Sequence, residues 1–192
     1  MGWTYSACVI ERGSIDFDKH KDDTFSDHLI TEIGDKGECI IDDCTFDRER
    51  LGLWMGLTSE QMNSIHSNGY CVVSLEQLKV ALDFLEDLVS KVKKMPFDKG
   101  SENRNVYVGF DKNNGESVYK WTGTSKNKEI YDLVMKSFAK DYHFNFPWDH
   151  NPNDVGVPDY IDSLKNAIDI VEDIIKCPDN DGKEIDIILL SH

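Results

Sequence analysis

Positive charge is scarce in this 192-residue chain, which carries 21 Lys and Arg against 36 Asp and Glu, a formal net charge of −15. The deficit is uneven. Residues 1–69 hold 14 acids and 6 bases, residues 70–144 hold 11 and 12, and residues 145–192 hold 11 and 3. Two acidic ends thus flank a near-neutral middle. A field of this sign repels nucleic acid and anionic lipid and attracts basic surfaces. Direct nucleic-acid binding and membrane binding are therefore not expected.

Other absences narrow the field. No apolar run approaches the roughly 20 residues that span a bilayer. No basic stretch followed by an apolar one opens the chain, so a secretory signal is not expected. Gly2 with Ser6 fits only a minimal acylation pattern, and no basic patch supplies the second signal that stable anchoring needs. There is no Gly-x-Ser-x-Gly elbow, no Gly-x-Gly-x-x-Gly and no P-loop. Five cysteines (Cys8, Cys39, Cys44, Cys71 and Cys177) are an odd number at irregular spacing. With no export signal, they favour a reducing cytoplasm and thiols rather than a disulfide framework.

What is present is enough apolar material for a real core: 40% hydrophobic and 10% aromatic residues, which argues against whole-chain disorder. Trp3–Glu11 is aromatic and β-branched and predicts a strand. A short helix is expected around Phe25–Ile33 and a short strand at Gly37–Ile41, while residues 46–57 are ambiguous. Thr58-Ser59-Glu60-Gln61 has the form of a capping box. Tyr70–Val73 reads as a short buried strand. Ser74 with Gln77 opens the clearest helix, on which Leu75, Leu78, Leu82, Leu85, Leu88, Val89 and Val92 recur at helical spacing. Val106–Phe110, an Asn-Asn-Gly turn and Ser117–Thr122 predict a hairpin. Residues 126–141 and 159–176 predict two further helices, and Ile185–Leu190 a final strand. The expected fold class is α+β: a mostly antiparallel sheet with a central hairpin, covered by three main helices. It is read as one domain over 1–192, with 69–74 as the place for any subdivision.

Leu78–Val89 (LKVALDFLEDLV) and Leu164–Ile175 (LKNAIDIVEDII) match at six of twelve positions with a constant offset of 86. Each precedes a turn and an apolar strand. The pair reads either as a duplicated helix–turn–strand unit or as two amphipathic helices that converged. Both copies repeat their acids: Asp83, Glu86 and Asp87, then Asp169, Glu172 and Asp173. Spacing of three and four residues puts each triplet on one helix surface. Lys79 and Lys165, one turn earlier, offset part of the like-charge repulsion. These six carboxylates are the expected partner-binding residues, with a solvated face as the plainer alternative.

Other constellations are weaker. Cys39 and Cys44 lack the second ligand pair of a zinc site. Asp16-x-Asp18-x-His20-x-Asp22-Asp23 and Asp179-Asn180-Asp181-Gly182 lack the glycine or distal ligands of a calcium loop. Trp121–Lys126 fits a helix N-cap better than an anion site. The lysines of 126–140, the basic surface of the chain, would pair with the acidic ends of the same chain or of a second copy. Tyr142–Asp154 gathers aromatics, His143, His150, Asp149 and Asp154 on one loop.

The composition therefore predicts a non-enzymatic acidic binding protein, cytoplasmic and without cofactor or metal. It would act as an inhibitor, immunity-type or anti-defence factor against a basic protein partner, such as a nuclease or another nucleic-acid-binding protein. DNA mimicry by the carboxylates is its extreme form. The alternative is a small metal-dependent enzyme or ligand-binding domain with its site in loop 142–154, where Asp149, His150 and Asp154 supply acid–base groups or ligands. A homodimer joining the lysine-rich helix to the acidic helices is a further arrangement.

Overall fold

Tyr5 to Ile10 are all buried in strand β1 (Trp3–Glu11), and Ile187 to Ser191 are all buried in strand β6 (Ile185–Ser191). Continuous burial, rather than alternation, marks strands covered on both faces. The computed structural model describes residues 3–20, 27–46, 48–65, 69–99, 105–137, 157–177 and 182–191. Its elements run β1, a short 3₁₀ turn (Phe17–His20), α1 (Asp27–Lys36), β2 (Gly37–Phe46), α2 (Arg48–Met55), α3 (Ser59–Ser64), β3 (Tyr70–Val73), α4 (Leu75–Lys94), β4 (Asn105–Phe110), β5 (Ser117–Trp121), α5 (Ser125–Ser137), α6 (Val157–Lys176) and β6. The fold is α+β, and among the described residues every strand pairing is antiparallel.

The chain divides into two compact units, residues 1–85 with 160–192, and residues 86–159. Residues 69–74 lie inside the first. Helix α4 contributes its first half to one unit and its second half to the other.

The first unit is built on a four-stranded sheet in the order β2-β1-β6-β3. The N-terminal and C-terminal strands pair along their length, from Tyr5↔Ser191 to Glu11↔Ile185. One face carries Cys8, Ile10, Ile188 and Leu190, packed with Leu29 and Ile33 of α1 and with Ile15. On the other face Tyr5, Ala7 and Leu189 adjoin Trp54 of α2, Leu78 of α4 and Leu164 of α6 around a cavity of about 40 Å³. Gly37 sits where α1 turns into β2. A Cβ there would lie 2.7 Å from both Ile10 Cγ2 and the Val9 carbonyl oxygen, so the close approach requires glycine.

Two capping boxes set the helix starts. In the first, the Gln61 backbone N–H donates to Thr58 Oγ1 and the Thr58 N–H donates to Gln61 Oε1. The second repeats this with Ser74 and Gln77. The two glutamines also bond each other, and Gln61 Nε2 donates to the Val72 carbonyl at 2.7 Å. These bonds tie α3, β3 and α4 together. Ser191 closes the sheet end, donating its backbone N–H to the Gly69 carbonyl at 2.8 Å.

The second unit holds the β4–β5 hairpin as a separate two-stranded sheet, with α5 and the end of α4. Trp121 packs on Tyr131 of α5, the rings tilted by 40° with centroids 4.9 Å apart. The fully buried Asn127 side chain accepts from the Asp98 N–H and donates to the Asp98 carbonyl, both at 2.9 Å.

Sequence expectations differ from the fold in extent more than in kind. β2 runs on to Phe46, and the ambiguous residues 46–57 include α2. The strands that follow the two matching helices are not equivalent: β4 pairs with β5, while β6 lies between β1 and β3. Among the described residues no helix is long and apolar enough to cross a membrane.

Candidate partner-binding surface

Helices α4 and α6 are each 20 residues long, and the sequence match between them extends to burial. Leu78 and Leu164, Ala81 and Ala167, and Leu85 and Val171 all point inward; Asp83 and Asp169, and Asp87 and Asp173, are all exposed. A rigid helix whose apolar stripe is buried must hold its opposite face in water. The shared acids sit on that face.

On α6 the structure gathers Asp169, Glu172 and Asp173 near Lys176. Glu172 is the half-buried member. Its Oε2 accepts from Lys176 Nζ at 2.6 Å, and its Oε1 pairs with Lys79 of α4 at 2.7 Å. Hydrogen bonds from Lys176 and then Lys79, reinforced by their charges, lower its pKa to about 2. Lys176 is correspondingly raised, chiefly by its hydrogen bond to Glu172, with smaller help from Asp173 and Asp169. The Glu172–Lys176 pair has the favourable orientation, with the acid four residues ahead of the base.

On α4 the exposed triplet is divided between the units. Asp83 belongs to the first, and Glu86 and Asp87 to the second. Asp87 is paired with Lys91 one turn on. Lys79, expected to offset the acids of its own helix, crosses to Glu172 instead. A cross-helix partner is invisible to a rule based on spacing within one helix. Lys176, by contrast, could have been read from its spacing.

The lysine-rich helix finds local partners. Lys126 pairs with Asp98 at 3.3 Å and Lys128 with Asp132 at 2.6 Å. Thr124 caps α5, accepting from the Asn127 N–H at 3.3 Å, so the stretch before it serves as a cap. At the other end of the molecule's charge range, Arg12 bonds Glu184 and Asp186, and Lys183 pairs with Glu11 at 2.9 Å, where β1 and β6 meet.

His20, from the acidic stretch 16–23, faces Glu32 of α1 at 3.0 Å. Glu32 also binds Lys36, whose Nζ donates to the Ser14 carbonyl at 2.7 Å. Hydrogen bonds from Lys36 and then His20 hold the Glu32 carboxyl below its ordinary range. This network fastens the 3₁₀ turn to α1. Among the described residues no group of three or more His, Cys, Asp or Glu is placed to hold a metal. Loop 142–154, with His143, Asp149, His150 and Asp154, and most of the 179–182 turn lie outside the described residues.

The cavity of the first unit is lined by apolar surface. No family model, curated protein or solved structure matches the chain.

Proposed function

We propose that this chain is a non-enzymatic binding protein whose acidic first unit covers a basic surface of a protein partner, in the manner of an inhibitor or immunity-type factor. The observation that carries the reading is the distribution of charge between the units. Residues 1–85 and 160–192 hold 24 acids and 10 bases, net −14, while residues 86–159 hold 12 and 11, net −1. Nearly the whole surplus thus belongs to the unit with the four-stranded sheet, and helix α6 presents part of it on a rigid face.

The acids are not equal in this role. Glu172 is engaged by two lysines and acts mainly in holding α4 to α6. Asp83, Asp169 and Asp173 are exposed and supply the field that a cationic partner would meet. Complementary charge of this kind raises association rates more than it lowers dissociation rates, and it weakens steeply with salt. A nuclease or other protein with a phosphate-binding face is the partner class such a field fits best. Cytoplasmic action belongs to the same proposal.

The test is recovery of a partner from the native host followed by charge reversal. Asp169→Lys with Asp173→Lys should slow association by roughly 10-fold or more at low salt and leave the fold intact. An acidic partner, or a rate insensitive to both salt and the double substitution, would defeat the reading.

A further inference from the structure

We propose that Cys8 and Cys39 form a peroxide-responsive dithiol that closes to a disulfide and staples strand β2 to β1. The two residues are directly opposed in the antiparallel β1–β2 ladder. Opposed residues on neighbouring antiparallel strands have their side chains on one face and Cα atoms about 4.5–5.5 Å apart. That spacing falls inside the range a disulfide spans, about 4.4–6.8 Å. Both are thiols in the structure.

Their surroundings divide the chemistry between them. Cys39 is exposed, on a strand at the edge of the sheet, and Cys8 is 6% exposed among Ile10, Ile15 and Leu29. An oxidant therefore meets Cys39 first. The Cys39 thiol donates to the Ile41 carbonyl of its own strand at 3.3 Å, and a rotation about χ1 turns it toward Cys8. The ladder slips by one residue next to this pair, since Ala7 faces Ile41 while Cys8 faces Cys39. This leaves Ile40 as the extra residue of a bulge. A bulge loosens the local ladder and increases its twist, giving the strands room to adopt the disulfide torsion.

The reaction balances with hydrogen peroxide as oxidant. The Cys39 thiolate attacks one peroxide oxygen; an S–O bond forms, the O–O bond breaks, and hydroxide leaves as water on taking a proton. The Cys8 sulfur then attacks the sulfenic sulfur; the S–S bond forms, the S–O bond breaks, and a second water leaves with the Cys8 proton. Two thiols are oxidised and one peroxide is reduced. Cys71, on β3, is the internal control. The residue opposite it on β6 is Leu189, which offers no second sulfur.

The experiment treats the purified full-length chain with stoichiometric hydrogen peroxide, then digests it without reductant for mass spectrometry. The expected product is a linked pair of peptides containing Cys8 and Cys39, lighter by two hydrogens and separated again by dithiothreitol. Cys71→Ser should leave that product unchanged, and Cys39→Ser should abolish it. Cys8→Ala should leave Cys39 without a resolving thiol, so that it stops at sulfenic acid, trapped by dimedone, and reaches sulfinic acid only when a second equivalent of peroxide is added. If Cys39 of the unsubstituted chain ends as sulfenic or sulfinic acid, or joined to another cysteine while Cys8 remains a thiol, the proposal is overturned.

Discussion

In the first unit β1 and β6 are covered on both faces, whereas in the second the β4–β5 hairpin leaves Tyr107, Val108, Phe110 and Val118 exposed. A bulge at Val108 shifts the β4 register, and Tyr107 meets the rings of both Phe110 and Tyr119, with centroids 5.6 and 5.8 Å apart. In this unit exposure ranges from Phe110 at 67% on the hairpin to Tyr131 at 8% on α5. The first unit buries β1 and β6 but exposes Leu53, Val72, Val80 and Ile175 on its other elements, and it carries the surplus of carboxylates. The second has almost no net charge; its two-stranded sheet, marginal by itself, meets α5 through Trp121 and Tyr131, while Asn127 ties α5 to Asp98. Charge and core thus follow different plans in the two units, and they should fail differently when perturbed.

The largest contrast lies in side-chain truncation. Ile188 is fully buried at the centre of the sheet, so Ile188→Ala should cost about 2–5 kcal/mol. Phe110→Ala, exposed on the hairpin, should stay within about 0.5 kcal/mol. Chemical denaturation of both variants checks this, and similar losses would erase the distinction between the units. Asn127→Ala removes two hydrogen bonds made in a buried place and leaves the Asp98 backbone groups unmatched. About 1–3 kcal/mol should be lost. Hydrogen exchange should show the loss around α5 and the hairpin, with β1 and β6 still protected. Ser74→Ala, which opens one of two linked capping boxes in the first unit, should cost about 1 kcal/mol. Its effect should fall with Gln61→Ala already present, because the two glutamines share bonds; a double-mutant cycle reads this.

The smallest effect concerns acid. Glu172 titrates in the folded chain at about 2, below the ordinary carboxylate range. A lowered folded pKa stabilises the fold above the unfolded value and loses that contribution as pH falls through the folded one. Lys79→Met or Lys176→Met should therefore raise the Glu172 pKa and narrow the acid side of the stability profile. A side-chain carboxyl titration by NMR follows the shift directly. No change in either variant would mean that the ion pairs do not form.

Local signals in the sequence carried most of the element assignments. Thr58 with Gln61 and Ser74 with Gln77 announce their helices because a capping box is complete within four residues. The apolar periodicity of Leu78–Val92 and the Asn-Asn-Gly turn are equally local. The pattern of β2 ends early in the sequence because Asp42, Asp43 and Thr45 interrupt its apolar residues, and an edge strand need not alternate cleanly. In α2 Arg48, Glu49, Arg50 and Gly52 hide the contribution of Leu51, Trp54 and Met55, so its sequence shows no clean helical stripe. The pairing of β1 with β6 was not legible at all, since each buried strand specifies hydrophobicity but not its neighbour. Long-range side-chain partners were hidden for the same reason: Lys79 with Glu172, Gln61 with Gln77, and Cys8 opposite Cys39 depend on which strands and helices become adjacent. The exposed acids of the candidate surface were legible as a helical stripe. Their division between the two units was not, because nothing in the continuous helix α4 marks Leu85 as a boundary.

The reading of the first unit as an acidic docking surface is tested most directly by association kinetics with the partner captured from the native host. Stopped-flow rates would be compared between roughly 10 mM and 200 mM salt, for the unaltered chain and for Asp169→Lys with Asp173→Lys. At low salt the unaltered chain should associate at least about 10-fold faster than the double variant, and the gap should close as the Debye length shortens from about 30 Å to under 10 Å. Equal rates at every salt concentration, for a partner of any charge, would contradict the account.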